Sequence, residues 1–176
     1  VEDALYNPRF VEKIVAWGGF ASVSHIAKYI QPGIDLITFD PKLSSTIIGE
    51  AAFADEESLT KVAEGLARDV GVMNQEACVN ARVVYVQSGT DEAGLARINH
   101  LGEKLLKAIG ELPSHWSSPT APELGLQDEI ETIRSGGGMW HKVFGGADDG
   151  TVIDSQMDEP VEFAAQLANR VVNLVP

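Results

Sequence analysis

Short apolar runs and amphipathic helices take turns along this 176-residue chain, and that alternation leaves few folds open to it. Lys13-Ile14-Val15-Ala16-Trp17 is an apolar run that stops at Gly18-Gly19. Ala21 to Ile30 then reads as a helix, with Ser22, Ser24 or the glycines at its start and Pro32-Gly33 beyond its end. Ile34 to Phe39 and Ser45 to Ile48 are β-rich and are separated at Asp40-Pro41, where proline removes a ladder donor. Between Asp55 and Val72, Leu59, Val62, Ala63, Leu66, Ala67 and Val70 recur at intervals of three and four, the spacing of one helix face, and acidic residues at its start suit the helix dipole. Arg82 to Val86 is a β-branched strand ended by Ser88-Gly89, and Asp91 to Ile109 is a second long helix with Gly110 as its stop. Leu112 to Pro122 carries three prolines and reads as an exposed loop before a short acidic helix from Glu123 to Arg134, broken by Gly136-Gly137-Gly138. Thr151 to Ser155 and Arg170 to Val175 read as two more strands around a helix near Pro160 to Ala168, where proline suits the first turn. No internal repeat interrupts the pattern. The alternation predicts an α/β fold of three layers, a largely parallel sheet flanked by helices.

With 44% apolar residues, the chain has enough hydrophobic material for the core of one globular domain or most of one. Asp and Glu outnumber Lys and Arg by 26 to 13, for a formal charge of −13, so the overall field repels nucleic acid and anionic membrane. An anionic ligand must then be held by a local site. No apolar stretch is long enough to span a bilayer and no signal-peptide pattern opens the chain, so the cytoplasm is the expected location.

Cys78 is the only cysteine, set in Asn74-Gln75-Glu76-Ala77-Cys78-Val79-Asn80-Ala81-Arg82 between a helix and a strand. A lone thiol forms no internal disulfide and makes a poor metal site, which leaves nucleophilic chemistry or plain packing to explain it. Asn74, Gln75 and Asn80 flank it as orienting groups or as ordinary cap and turn residues. His100, His115 and His141 have no acidic or cysteine neighbours at ligand spacing, so no metal is expected, and His25 reads as an ordinary helix residue. Gly136-Gly137-Gly138 and Gly145-Gly146 lack the Lys-Ser/Thr of a phosphate loop and read as flexible loop, and Asp148-Asp149-Gly150 reads as a turn.

Three ordered blocks carry a resemblance: Val15-Ala16-Trp17-Gly18-Gly19 with its helix, then Ile34-Asp35-Leu36-Ile37-Thr38-Phe39-Asp40-Pro41-Lys42, then a long helix leading to Cys78. Together they resemble the aldehyde dehydrogenase superfamily, and within it the LuxC-like fatty acyl-CoA reductases. The resemblance implies an aldehyde dehydrogenase catalytic-domain-like fold. It further implies that residues 1–176 are a single excised, incomplete catalytic domain whose nucleotide-binding part lies outside this chain and which is inactive as cut. On the same resemblance, the activity is NADP(H)-dependent reduction of a long-chain fatty acyl-CoA to a fatty aldehyde through a cysteine thioester. Cys78 is then the nucleophile with its backbone N–H in the oxyanion site, and Gly18 and Gly19 form the turn beside the cofactor. Thr38 falls where hydrolysing members keep a water-activating glutamate, and threonine cannot act as that base. The implied donors are fatty acyl-CoA or an acyl-protein, the implied partners an acyltransferase and an acyl-protein synthetase, and the full-length protein a homo-oligomer. Two alternatives remain beside it. One is another CoA-acylating aldehyde or semialdehyde dehydrogenase, and the other is a non-catalytic interaction domain with a structural cysteine.

Overall fold

The computed structural model describes residues 5–39, 42–118, 120–146 and 148–176, so the break expected at Asp40-Pro41 lies outside the described residues. The chain divides into two compact units, residues 1–42 and 43–176. In the first, β1 (Lys13–Trp17) and β2 (Asp35–Phe39) pair in parallel, joined through α1 (Phe20–Ala27). Helix α1 is shorter than the expected 21–30. Lys28, Tyr29 and Ile30 instead donate their N–H groups to His25, Ile26 and Ala27 three residues back, the tighter winding that ends a helix ahead of Pro32. Trp17 stacks on Phe39 at 4.7 Å, on a face of the two-stranded sheet that also carries Val15 and Ile37.

The second unit is built on five strands: β3 (Ser44–Ile48), β4 (Ala81–Val86), β5 (His141–Gly146), β6 (Gly150–Ser155) and β7 (Val171–Val175). Their order is β3-β4-β7-β6-β5, parallel throughout except for the antiparallel edge strand β5. On one face lie α2 (Glu56–Gly71) and α3 (Glu92–Gly110), each begun by an aspartate whose side chain accepts a backbone N–H three residues on, Asp55 from Ser58 and Asp91 from Gly94. Leu59, Leu66 and Val70 of α2 and Ile98, Leu101, Leu105 and Ile109 of α3 pack there against Val84, Val152, Val172 and Leu174 of the sheet. The other face is covered by α4 (Leu124–Ser135), whose Leu126 and Ile130 meet Ile153 and Val171. This is the expected three-layer arrangement.

Two expectations fail here. Residues 160–168 form no helix, although Val161, Phe163, Ala165 and Leu167 do pack on the sheet beside α4. Their backbone polar groups are taken by side chains instead. Asn173 of β7 accepts the N–H of Val161 at 2.9 Å, and the carboxylate of Glu129 accepts those of Ala164 and Ala165. An extended segment fixed this way has no need of a helical ladder. Gly145-Gly146 is not a flexible loop but the end of β5, paired with Thr151 and Gly150. Gly145 has φ +82° and a Cβ there would meet the carbonyl oxygen of Gly150 at 2.3 Å, so the close hairpin requires glycine.

Asp154 of β6 is fully buried toward α3, and neither carboxylate oxygen finds a donor among the described residues. Burial drives its pKa well above the ordinary carboxylate value, with Lys142 across the hairpin opposing and Glu103 of α3 reinforcing the rise. The carboxyl group fits only because position 102 of α3 is glycine: a Cβ there would lie 2.3 Å from Asp154 Oδ2. Gly102→Ala should therefore lower the melting temperature. The intruding methyl costs about 1–3 kcal/mol and outweighs the gain of up to about 1 kcal/mol from better helix propensity. For Asp154 the folded-state pKa exceeds the unfolded one, so its contribution to stability is full below the ordinary carboxylate value. It is lost as pH rises toward the folded pKa, by up to about 1.4 kcal/mol per pH unit. Denaturant melts of Asp154→Asn across that range should show this decline removed, and a parallel decline in both proteins would contradict the assignment.

Candidate active site

Cys78 sits on the loop between α2 and β4, and the loop begins with an unusual backbone. Met73, Asn74 and Gln75 have φ of 57°, 53° and 64°, three consecutive non-glycine residues in the left-handed region. Each such residue costs on the order of 1 kcal/mol and persists only where its surroundings over-determine it. Gln75 provides the first restraint. Its side chain is completely buried, with Nε2 donating to the carbonyls of Ala81 (2.8 Å) and Val171 (2.9 Å) and Oε1 accepting the N–H of Val171 at 3.1 Å. Ladder pairing between β4 and β7 starts only at Val83 and Asn173, so the Gln75 amide stands in for the missing first rungs between these strands.

Asn80 supplies the second restraint. Its Nδ2 donates to the carbonyls of Asp69 and Val72 at the end of α2, and its Oδ1 accepts the N–H of Ala77 at 3.0 Å. Arg82 supplies the third. Its guanidinium is buried and donates to the carbonyls of Gln75 (2.9 Å), Asn80 (3.1 Å) and Leu167 (3.0 Å), closing the loop from β4. Burial lowers the pKa of Arg82, with the nearby Cys78 opposing that shift. From β3, Ser44 Oγ donates to the Cys78 carbonyl at 2.8 Å.

Within this frame the Cys78 side chain is exposed. Its backbone N–H has no hydrogen-bond partner among the described residues. A polar cleft of about 470 Å³ opens beside the loop, lined by Asn74, Gln75, Glu76, Arg82, Gln166 and Asn169 among others. The sulfur itself is not in its wall, although Glu76 two residues upstream is. A more apolar cavity of about 540 Å³, walled by Ile133, Trp140, His141 and Met157, lies at the start of β5. β5 runs against the other strands, so that cavity opens at the sheet edge opposite to the amino-terminal end of β4 where Cys78 lies. Burial lowers the His141 pKa there. Among the described residues no cluster of His, Cys, Asp and Glu has the arrangement of a metal site.

Gly18 and Gly19 belong to the first unit and join β1 to α1. Gly18 has φ +147°, a conformation that favours glycine, and Gly19 is the N-cap of α1 with nothing within 4 Å of where its Cβ would stand. That turn leaves the backbone N–H groups at the start of α1 approachable by an anionic group. Thr38 is an exposed residue of β2, paired with Ala16. The motif residues Asn74, Gln75 and Asn80 prove to be the scaffold of the cysteine loop. Arg82 was missed as a functional residue, although a charged side chain heading an otherwise apolar strand is a signal that something must satisfy it. Among the described residues no helix is long and apolar enough to cross a membrane.

A family model described as acyl-CoA reductase (LuxC) matches residues 9–176. The long-chain acyl-protein thioester reductase of Photorhabdus luminescens is 35% identical over 89 residues, which make up 50% of this chain and 18% of that protein. That of Aliivibrio fischeri is 35% identical over 87 residues, 48% of this chain and 17% of its own length. The matched region is thus a small part of either relative. Among solved structures, an NADP-dependent glyceraldehyde-3-phosphate dehydrogenase from Bacillus halodurans superposes with a TM-score of 0.63 at 13% identity, over 99% of this chain and 36% of that one. An indole-3-acetaldehyde dehydrogenase gives 0.64 at 13% identity, over 99% and 37%. Likeness at that identity is a likeness of fold, and the chain has an aldehyde dehydrogenase-like fold; by the family match over residues 9–176 it belongs to the acyl-CoA reductase (LuxC) family.

Proposed function

We propose that Cys78 takes a long-chain acyl group from a thioester donor, fatty acyl-CoA or an acyl-protein, and holds it as a thioester until reduction to the aldehyde. The observation that carries this reading is an exposed sulfur on a backbone restrained from three sides, which removes packing as the reason for the cysteine. The thiolate Sγ attacks the donor carbonyl carbon, forming the C–S bond to Cys78 and a tetrahedral oxyanion, whose collapse re-forms the carbonyl and breaks the bond to the donor's sulfur, which departs and takes a proton. The unpartnered N–H of Cys78 is a natural donor to that oxyanion, an interaction whose loss costs about 3–4 kcal/mol in well-studied sites. Buried Arg82 holds the carbonyls of Gln75 and Asn80, the residues that flank Cys78 in its loop.

When bound, a nicotinamide cofactor, read as NADP(H), would supply the hydride for reduction of the Cys78 thioester, and Cys78 would release the aldehyde as its thiolate is restored. Gly18 and Gly19 suit the phosphate side of such a group, since the open turn exposes the N–H groups of α1. Thr38 in place of a carboxylate leaves no general base at that position, which favours reduction over hydrolysis of the thioester. The matched region is a fraction of the curated relatives, so this chain is read as part of a catalytic domain whose full protein completes the reaction. An acyltransferase and an acyl-protein synthetase are the proposed partners, and a homo-oligomer in the cytoplasm the proposed full-length state.

Intact mass spectrometry after incubation of the full-length protein with a long-chain acyl-CoA should show one acyl adduct, absent in Cys78→Ala. An adduct surviving that substitution would refute the assignment. Acyl-transfer rates measured along a series of donors should rise with chain length. Each buried methylene contributes about 0.8 kcal/mol, or up to about fourfold per carbon. A preference for acetyl or propionyl donors would point instead to a CoA-acylating dehydrogenase of short aldehydes.

A further inference from the structure

Two strained segments stand side by side at the amino-terminal ends of adjacent strands. Met73-Asn74-Gln75 leads into the cysteine loop ahead of β4, and Asn169-Arg170, with φ of 56° and 65°, leads into β7. Gln75 ties the first to the second through Val171, and a separate tie comes from the proline-rich loop that follows α3. Ser117 in that loop is 3% exposed, and its hydroxyl sits between the two segments. It donates to Asn74 Oδ1 at 2.9 Å and accepts from Arg170 Nε at 2.7 Å. Its neighbours join the same contact, with Ser118 N–H donating to Asn74 Oδ1 at 2.8 Å and Met73 N–H donating to the carbonyl of Trp116 at 2.8 Å. Arg170 is 2% exposed, so its guanidinium is committed to this junction rather than to solvent.

We infer that Ser117 is a positioning residue for Cys78: its hydroxyl couples Arg170 to Asn74 and so holds the left-handed turn that aims the cysteine loop. The inference rests on the acyl-transfer role proposed for Cys78. Ser117 touches neither the sulfur nor a donor. Its loss therefore changes how often the loop is in its reactive geometry and not how tightly the donor binds. A misplacement of about 1 Å at a reacting centre costs on the order of a hundredfold in rate.

The test uses the full-length protein with a long-chain acyl-CoA as the probe. In Ser117→Ala the limiting rate of acyl transfer to Cys78 should fall by about 10–100-fold, while the donor concentration at half-saturation stays within about twofold. Hydrogen exchange at the Met73 amide, which donates to the carbonyl of Trp116 beside Ser117, should quicken by about tenfold or more as the turn and the loop that holds it open more often. A native limiting rate together with native exchange would overturn the inference, and so would a weakening confined to donor binding. Where Ser117→Ala melts far below the native protein, Asn74→Gly gives the answer instead. It accepts the left-handed backbone and keeps the Ser117–Arg170 bond, losing the acceptor shared by the Ser117 hydroxyl and the Ser118 N–H. Slowed acylation in that variant supports the bridge, and a native rate overturns it. If the native protein accepts no acyl group from any donor, the functional reading fails while the exchange measurement still decides whether Ser117 holds the turn.

Discussion

The amide of Gln75, inserted between β4 and β7 where their own ladder has not yet begun, is the contact on which the rest of the site depends. A side chain that satisfies three backbone groups of two parallel strands cannot shift without leaving buried donors and acceptors unpaired, each at about 1–3 kcal/mol. Because the residue bearing that amide is itself left-handed, the turn and the start of the β4–β7 pairing are formed together or not at all. The helix before it ends under the same restraint: Gly71 packs so tightly on Leu112 that a Cβ would fall 2.3 Å from Cδ1. The exposed Cys78 is thus carried by one of the more firmly determined stretches of the chain.

Such a loop is the reverse of the mobile surface loop on which function is often found. Asn80 holds the carbonyls left over at the end of α2, and Arg82 collects three carbonyls, two from the cysteine loop and one from Leu167. Each of these polar side chains already has its partners in place. A site whose donors are fixed beforehand loses nothing to reorganisation when charge develops on an oxyanion, and that is the principal advantage of a folded catalyst over a flexible one. The cost is borne as backbone strain at residues 73–75 and 169–170, and burial of β4, β6 and β7 between two apolar layers outweighs it.

Much of the architecture was legible because periodicity is a local signal. The helix at 56–71 announces itself by its apolar face and its Asp55 cap, and the strands at 13–17, 44–48 and 81–86 by short β-branched runs between breakers. The misses came where distant side chains decided the backbone. Residues 160–168 open on a proline that suits a helix's first turn, but Asn173 and Glu129 claim their N–H groups, and neither is a neighbour in sequence. β5 hides behind two glycines that read as slack but meet β6 at close range. Cys78 stood out as the lone thiol, and Asn74, Gln75 and Asn80 as its neighbours. Ser117 and Arg170 lie 39 and 92 residues beyond it, and nothing local marks a serine among prolines as part of the same junction.

The fit between α3 and β6 has an evolutionary corollary. A missing Cβ at residue 102 and an extended carboxyl at residue 154 occupy one shared volume, so neither position is free to drift while the other stays as it is. Lineages that enlarge the helix side must first shorten the strand side, and the permitted route passes through small residues at both. Among diverged relatives these two columns should therefore vary as a pair, the trace of a steric exclusion and not of any shared chemistry.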